Sequence, residues 1–161
     1  MEVVVSDRSV KSWTVEADAS PEAAFQYLSD VGKHGEWSPK LYRVDPVPQL
    51  PLQQGITYQS YGVVPGDKDH ANQVEVTLVD PPHGLVLTST DKGEQYVHRF
   101  DIEPSGRGSR VTRTVEAPHP TGFARLIFPL IFAIFINREV SKGMNMLKAN
   151  LTNLKDSAEQ S

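Results

Sequence analysis

The sequence predicts an α+β domain: a curved antiparallel sheet of about seven strands wrapped around one long C-terminal helix, with two short helices after the first strand. Three observations predict it. A strand is followed at once by Ser20-Pro21-Glu22, a helix start. From Lys40 the signals are those of strands, with no helical period between them. After Ala117-Pro118-His119-Pro120 the chain turns helical to near its end.

The elements follow in order. In Val10–Ala17, Trp13, Val15 and Ala17 alternate with Ser12, Thr14 and Glu16, so one strand face is apolar. Ser20 is suited to cap the next helix, Pro21 to its first position and Glu22 to its positive end. Ala24, Phe25 and Leu28 form its apolar stripe. Gly32 and Gly35 bracket a second short turn, ending at Trp37-Ser38-Pro39, where proline holds Ser38 extended.

Six more strands are predicted: Leu41–Val47, Thr57–Val63, Gln73–Val79, Leu85–Thr90, Tyr96–Glu103 and Ser109–Glu116. The breaks PVPQLPLQQG, PGDKDHAN, DPPHG, DKGE and PSGRG contain turn residues, so neighbours should pair as antiparallel hairpins. Thr121 is the expected cap of the last helix, and Pro129 should kink or offset its first turns. Beyond, Ile136, Val140, Met144, Leu147, Leu151 and Leu154 make one apolar stripe, and Gly143 beside it permits a close approach to the sheet. Residues 1–8 and 156–161 of the 1–161 domain are expected to fray.

Composition narrows the function. Apolar residues make up 39% of 161, which fits one soluble globular domain. Sixteen Lys and Arg against 20 Asp and Glu give a net charge of −4, which argues against nucleic acid as a partner. No cysteine is present, which excludes disulfides, thiolate zinc sites and a cysteine nucleophile, and fits a reducing, cytoplasmic setting. The N-terminal residues show no basic region followed by an apolar run, so no secretory signal is expected. Leu126–Ile136 is apolar throughout but well short of the roughly 20 residues that span a bilayer. A buried half of the last helix is the expectation there. A dimer seam or a membrane-surface contact through Phe128–Ile136 is the alternative.

These residues resemble a known superfamily. The first strand, the S-P-E-x-A-F helix, Asp30, the Trp37-Ser38-Pro39 turn, the Val79-Asp80-Pro81-Pro82 turn and Gly108-Ser109-Arg110-Val111-Thr112 before a long helix are similar to START-related (SRPBCC) proteins. More narrowly, they resemble bacterial polyketide cyclase/dehydrase and lipid-transport proteins with the pollen-allergen-like helix-grip fold. The resemblance implies a cavity between sheet and last helix that takes an apolar or amphipathic small molecule, lipid- or polyketide-like. It implies function only broadly, since cyclases, carriers, receptors and chaperone activators share the fold.

Strand parity supplies candidate site residues. His98, Phe100 and Ile102 share a face, with Arg99 and Asp101 on the other. Arg113 shares a face with Val111 and Val115. A histidine and an arginine are thus expected to project inward from neighbouring strands. A buried cation needs a partner, which an internal acid or an anionic ligand could supply. The ligand-binding candidates are His98, Phe100, Arg113 and Tyr58, with Leu130 and Ile134 from the last helix. Tyr58 and Tyr61 should face opposite sides, and Tyr96 is a further candidate. In an enzyme reading, Arg113 would hold an enolate or carboxylate and His98 would act as general acid or base. For His98 the plain reading is a satisfied core histidine; for Arg113 it is an internal ion pair or an exposed edge.

Other motifs read as structure. Trp37 is expected to plug the space behind the short helices. Asp80-Pro81-Pro82 reads as a rigid turn and Ser105-Gly106-Arg107-Gly108 as a hairpin, lacking the lysine and helix of a phosphate loop. The histidines show no metal-ligand spacing, and Asp67-Lys68-Asp69-His70 reads as a solvated loop. No cofactor is expected.

Overall fold

The computed structural model describes residues 8–159, without the side chains of 128, 132, 133 and 155–159. The ends expected to fray therefore lie mostly outside the described residues, although the backbone of the last helix continues to Glu159.

Seven strands form one antiparallel sheet: β1 (Arg8–Ala17), β2 (Leu41–Asp45), β3 (Thr57–Val64), β4 (Asp67–Asp80), β5 (Gly84–Asp91), β6 (Glu94–Ser105) and β7 (Gly108–Pro118), in the spatial order β1-β7-β6-β5-β4-β3-β2. Successive hairpins build it from β2 to β7. The β1–β2 crossover holds helix α1 (Pro21–Ser29) and a 3-10 turn over Val31–Glu36. The Ser20 hydroxyl accepts from the Ala23 N–H at 3.2 Å, the cap read from the sequence.

Among the strands that run beyond their expected bounds, β4 gains the most. The PGDKDHAN break shrinks to a turn at Pro65-Gly66, and β4 already begins at Asp67. Gly66, at φ 85°, supplies the left-handed backbone that so tight a turn requires. His70 steadies this end: its ring nitrogens lie 3.0 Å from Asp91 and 3.1 Å from Asp67.

The core lies between the concave sheet and α1, the 3-10 turn and helix α3 (Asn137–Glu159). Met144, Leu147 and Leu151 of the expected stripe are fully buried. Tyr27 ties three elements together. Its hydroxyl donates to Glu36 at 2.6 Å and accepts from Asn150 at 3.0 Å. Gly143 does allow a close approach, but of the Trp37 carbonyl and not of a strand: a Cβ there would stand 3.0 Å from that oxygen.

Parity fails at one place. Leu78 stands at the alternation of Val74 and Val76, which are buried, yet it is exposed. A bulge between Val76 and Leu78 adds one residue to β4 and turns the rest over.

The last helix departs most from expectation. It starts at Ala124, not directly after Thr121, as α2 (Ala124–Ile131). A wide π-type turn over Phe132–Ile136 then separates α2 from α3. Pro129 lacks a backbone N–H, so the ladder cannot run regularly through this stretch. No strand makes an extended contact with α2. The expected burial is therefore absent among the described side chains. Leu126 is 77% exposed, Leu130 64%, Phe135 63% and Ile134 51%. Phe128 and Phe132 fall outside the described side chains.

Candidate functional site

Between the sheet and the 3-10 turn lies a cavity of about 150 Å³. Its polar wall comes from Arg113, His98, Ser89, Asn72, Ser60 and His34, its apolar wall chiefly from Trp37, Phe100 and Tyr58. Register explains the meeting. Phe100 on β6 pairs with Arg113 on β7, and His98 lies two residues from Phe100 on the same face. Leu87 on β5 pairs with His98, and Ser89 follows on that face.

The sequence candidates divide here. His98, Phe100, Arg113 and Tyr58 converge on the cavity. Leu130 and Ile134 do not line it. They stand exposed on α2 and the π-type turn, because the break after Pro129 carries that segment off the sheet. Tyr61 turns away from Tyr58 and stacks on Arg43, whose guanidinium carbon is 3.6 Å from the ring centre. Tyr96 is also outside the cavity wall.

The polar wall residues missed include Ser60, two residues from Tyr58 on the same strand. Ser89 follows the parity of Leu85 and Leu87, and Asn72 that of Val74 and Val76, so alternation could have found both. His34, between Gly32 and Gly35, is buried in the 3-10 turn. Its one sequence signal was Trp37, three residues on, the spacing of one such turn.

Arg113 defines the electrostatics. Among the described residues no carboxylate lines the cavity. The guanidinium is 5.6 Å from the Phe100 ring and 5.7 Å from the Trp37 ring, and donates to His98 Nδ1 at 3.3 Å. Ring faces and a neutral nitrogen compensate a buried charge only in part. Burial lowers the Arg113 pKa to about 10, so it remains a cation at neutral pH. Among the described residues, Arg113 Nε and Trp37 Nε1 are buried donors with no acceptor, and Asn72 Oδ1 is a buried acceptor with no donor.

Both histidines are neutral. Burial, then the charge of Arg113, lower His98 to about 3. Arginine can only donate, so His98 Nδ1 accepts and Nε2 carries the hydrogen, toward Ser89 Oγ at 3.4 Å. Burial lowers His34 to about 4, against a hydrogen bond from Nε2–H to the Leu28 carbonyl at 2.7 Å.

A larger open groove, about 920 Å³, lies elsewhere, between α1, the loop at Leu50–Leu52, the Pro81-Pro82 turn and Leu154. It holds no histidine or arginine. The smaller cavity is the one where unsatisfied donors of Arg113 and Trp37 meet a part-buried positive charge, so the candidate site is placed there. Among the described residues no cluster of metal-ligating side chains occurs.

Residues 10–152 match the family described as polyketide cyclase/dehydrase and lipid transport. The chain belongs to this family. Solved structures agree in fold. The di-domain ARO/CYC StfQ of the steffimycin biosynthetic pathway aligns with a TM-score of 0.73 at 13% identity, over 93% of this chain and 52% of that one. A Thermus thermophilus protein aligns at 0.69 and 15%, over 91% and 99%. Norcoclaurine synthase from Thalictrum flavum, a point mutant bound to a transition-state analogue, aligns at 0.68 and 17%, over 94% and 99%. Identities this low speak for the fold alone. A comparison with curated proteins finds no match. Within the polyketide cyclase/dehydrase family, this chain thus combines the helix-grip fold with a small, cationic cavity floor and an exposed apolar turn beside the grip.

Proposed function

We propose that the whole chain acts as one binding unit for an amphipathic small molecule, lipid- or polyketide-like, whose acidic or enolic end meets Arg113. One observation carries this reading: a part-buried guanidinium, its Nε fully buried without an acceptor, in a cavity lined by no carboxylate among the described residues and flanked by a second such donor on Trp37. An anionic oxygen supplies what both donors lack. At roughly 30 Å³ per water, the cavity has room for about five waters, enough for a head group and not for a long tail. The tail would leave toward solvent.

Binding is favoured over catalysis. A histidine held near pKa 3, its Nδ1 already accepting from Arg113, is a weak base at neutral pH. The enzyme alternative, a cyclase, aromatase or dehydratase, gains from one feature: a bound anion would offset the Arg113 charge and raise His98 toward a useful value. The lack of cysteine supports a cytoplasmic setting.

Arg113→Met tests the reading, since it keeps bulk and removes charge. Displacement of a fluorescent fatty-acid probe by paired acids and methyl esters is the measurement. The variant should lose roughly 1.5–3 kcal/mol of affinity for acids and keep its affinity for esters. Equal affinities for both ligand types in both proteins would refute an anion site at Arg113.

A second observation favours an additional role. The exposed apolar residues from Phe123 to Ile136 form a contact surface, for a bilayer or for a second copy of the chain.

A further inference from the structure

Resting on that additional contact role, we propose that residues 123–136 dock the protein on an anionic bilayer, with α2 lying in the interface. Phe123, Leu126, Ile127, Leu130, Ile131 and Ile134 are all exposed. Their spacing of three, one, three, one and three puts them along one side of a helical path. Arg125 falls on the opposite side. A stretch that is apolar from Leu126 to Ile136, flanked by arginines and too short to span, suits the interface plane. No described helix is long and apolar enough to cross a membrane.

Charge selects the occupant. The chain as a whole has a net charge of −4. Yet from Ala117 to Asn150 its one acid is Glu139, against Arg125, Arg138, Lys142 and Lys148. Arg125 and Arg138 bracket the apolar stretch, and both are exposed. Anionic head groups complement this arrangement. A two-fold contact between copies would bring the same cations toward each other, a cost that a bilayer does not impose.

The base of the element is fixed. Trp13 on β1 donates from its indole nitrogen to Asn137 Oδ1 at 2.7 Å, where α3 begins. The segment also follows directly from β7, the strand that carries Arg113. Docking would therefore place the β7 exit end of the sheet at the membrane, where an amphipathic ligand would be taken up or released.

Flotation with vesicles of mixed phosphatidylcholine and phosphatidylglycerol tests the proposal, with pure phosphatidylcholine as reference. Wild type should float with the mixed vesicles. Leu126→Glu combined with Leu130→Glu should weaken binding about tenfold or more. Arg125→Gln and Arg138→Gln should each weaken binding to mixed vesicles about fivefold, and less in high salt. Phe135→Trp, in otherwise unchanged protein, should shift its emission to the blue on the mixed vesicles. Flotation of the double glutamate variant equal to wild type would overturn the proposal. So would wild type that ignores vesicles and sediments as a dimer the double variant breaks, or a Phe135→Trp protein whose emission stays unshifted. Arg113→Met should float normally, and the double glutamate variant should bind acidic probes normally, so either reading can fail alone.

Discussion

Arg113 and its neighbours set the behaviour of the site with pH. His34 and His98 are held below the ordinary histidine value chiefly by burial, at about 4 and about 3. The unfolded chain binds their protons below about pH 6.5, while the folded chain stays neutral there. Their contribution to stability is thus full above that value and lost as pH falls toward their folded values. His70 works the other way, raised by Asp91 and then Asp67, and its contribution is lost as pH rises through its folded value. Comparing His98→Gln with wild type isolates one term. Between pH 7 and pH 5 the wild-type stability should fall further than that of the variant, by a difference of order 1–2 kcal/mol read from thermal melts. Parallel falls would show His98 to be solvated. Trp37 is 2% exposed and wedged against His34 and Phe100, at centroid distances of 5.0 and 5.8 Å. Trp37→Ala should cost roughly 3–5 kcal/mol, read from the denaturation midpoint. An unchanged midpoint would contradict its place in the core.

At the scale of elements, Gly108 is a close-approach position: a Cβ there would collide with the Ala17 carbonyl on the neighbouring strand. Gly108→Ala should therefore push β1 from the start of β7 and lower the melting temperature, while Gly93→Ala, at a left-handed turn with nothing near its Cβ, reports backbone strain alone. If the two variants melt alike, the collision is relieved at no cost. The same local signals explain what the sequence revealed. Turn residues and alternation located seven strands, and parity grouped His98 with Phe100, grouped Arg113 with Val111 and Val115, and set Tyr58 opposite Tyr61, because both signals are properties of neighbours in the chain. Leu78 escaped because a bulge leaves no mark in alternation. Leu130 and Ile134 escaped because composition reports that a segment is apolar and not what covers it. His34 escaped because its burial depends on Phe100, far away in sequence.

For the whole molecule, a part-buried cation without an opposite charge in its cavity is a standing cost that an anion relieves. An acidic ligand should then stabilise the fold as well as bind, by about 2.7 kcal/mol at a hundredfold excess over Kd. Thermal melts with acid, ester and no ligand check this. The acid should raise Tm by several degrees in wild type and by clearly less in Arg113→Met. An equal rise in both proteins would place the binding elsewhere.

The uneven spread of charge described for Ala117–Asn150 has a consequence for motion. With its acids gathered elsewhere and basic residues predominating in this segment, the protein is an electric dipole as well as an anion. A uniform body of charge −4 would be repelled by a negative surface in every orientation. A dipole feels a torque, and within about a Debye length, near 8 Å at physiological salt, that torque acts on each approach. Encounters with any negative surface are therefore biased toward the basic face, and the bias weakens as salt shortens the reach of the field.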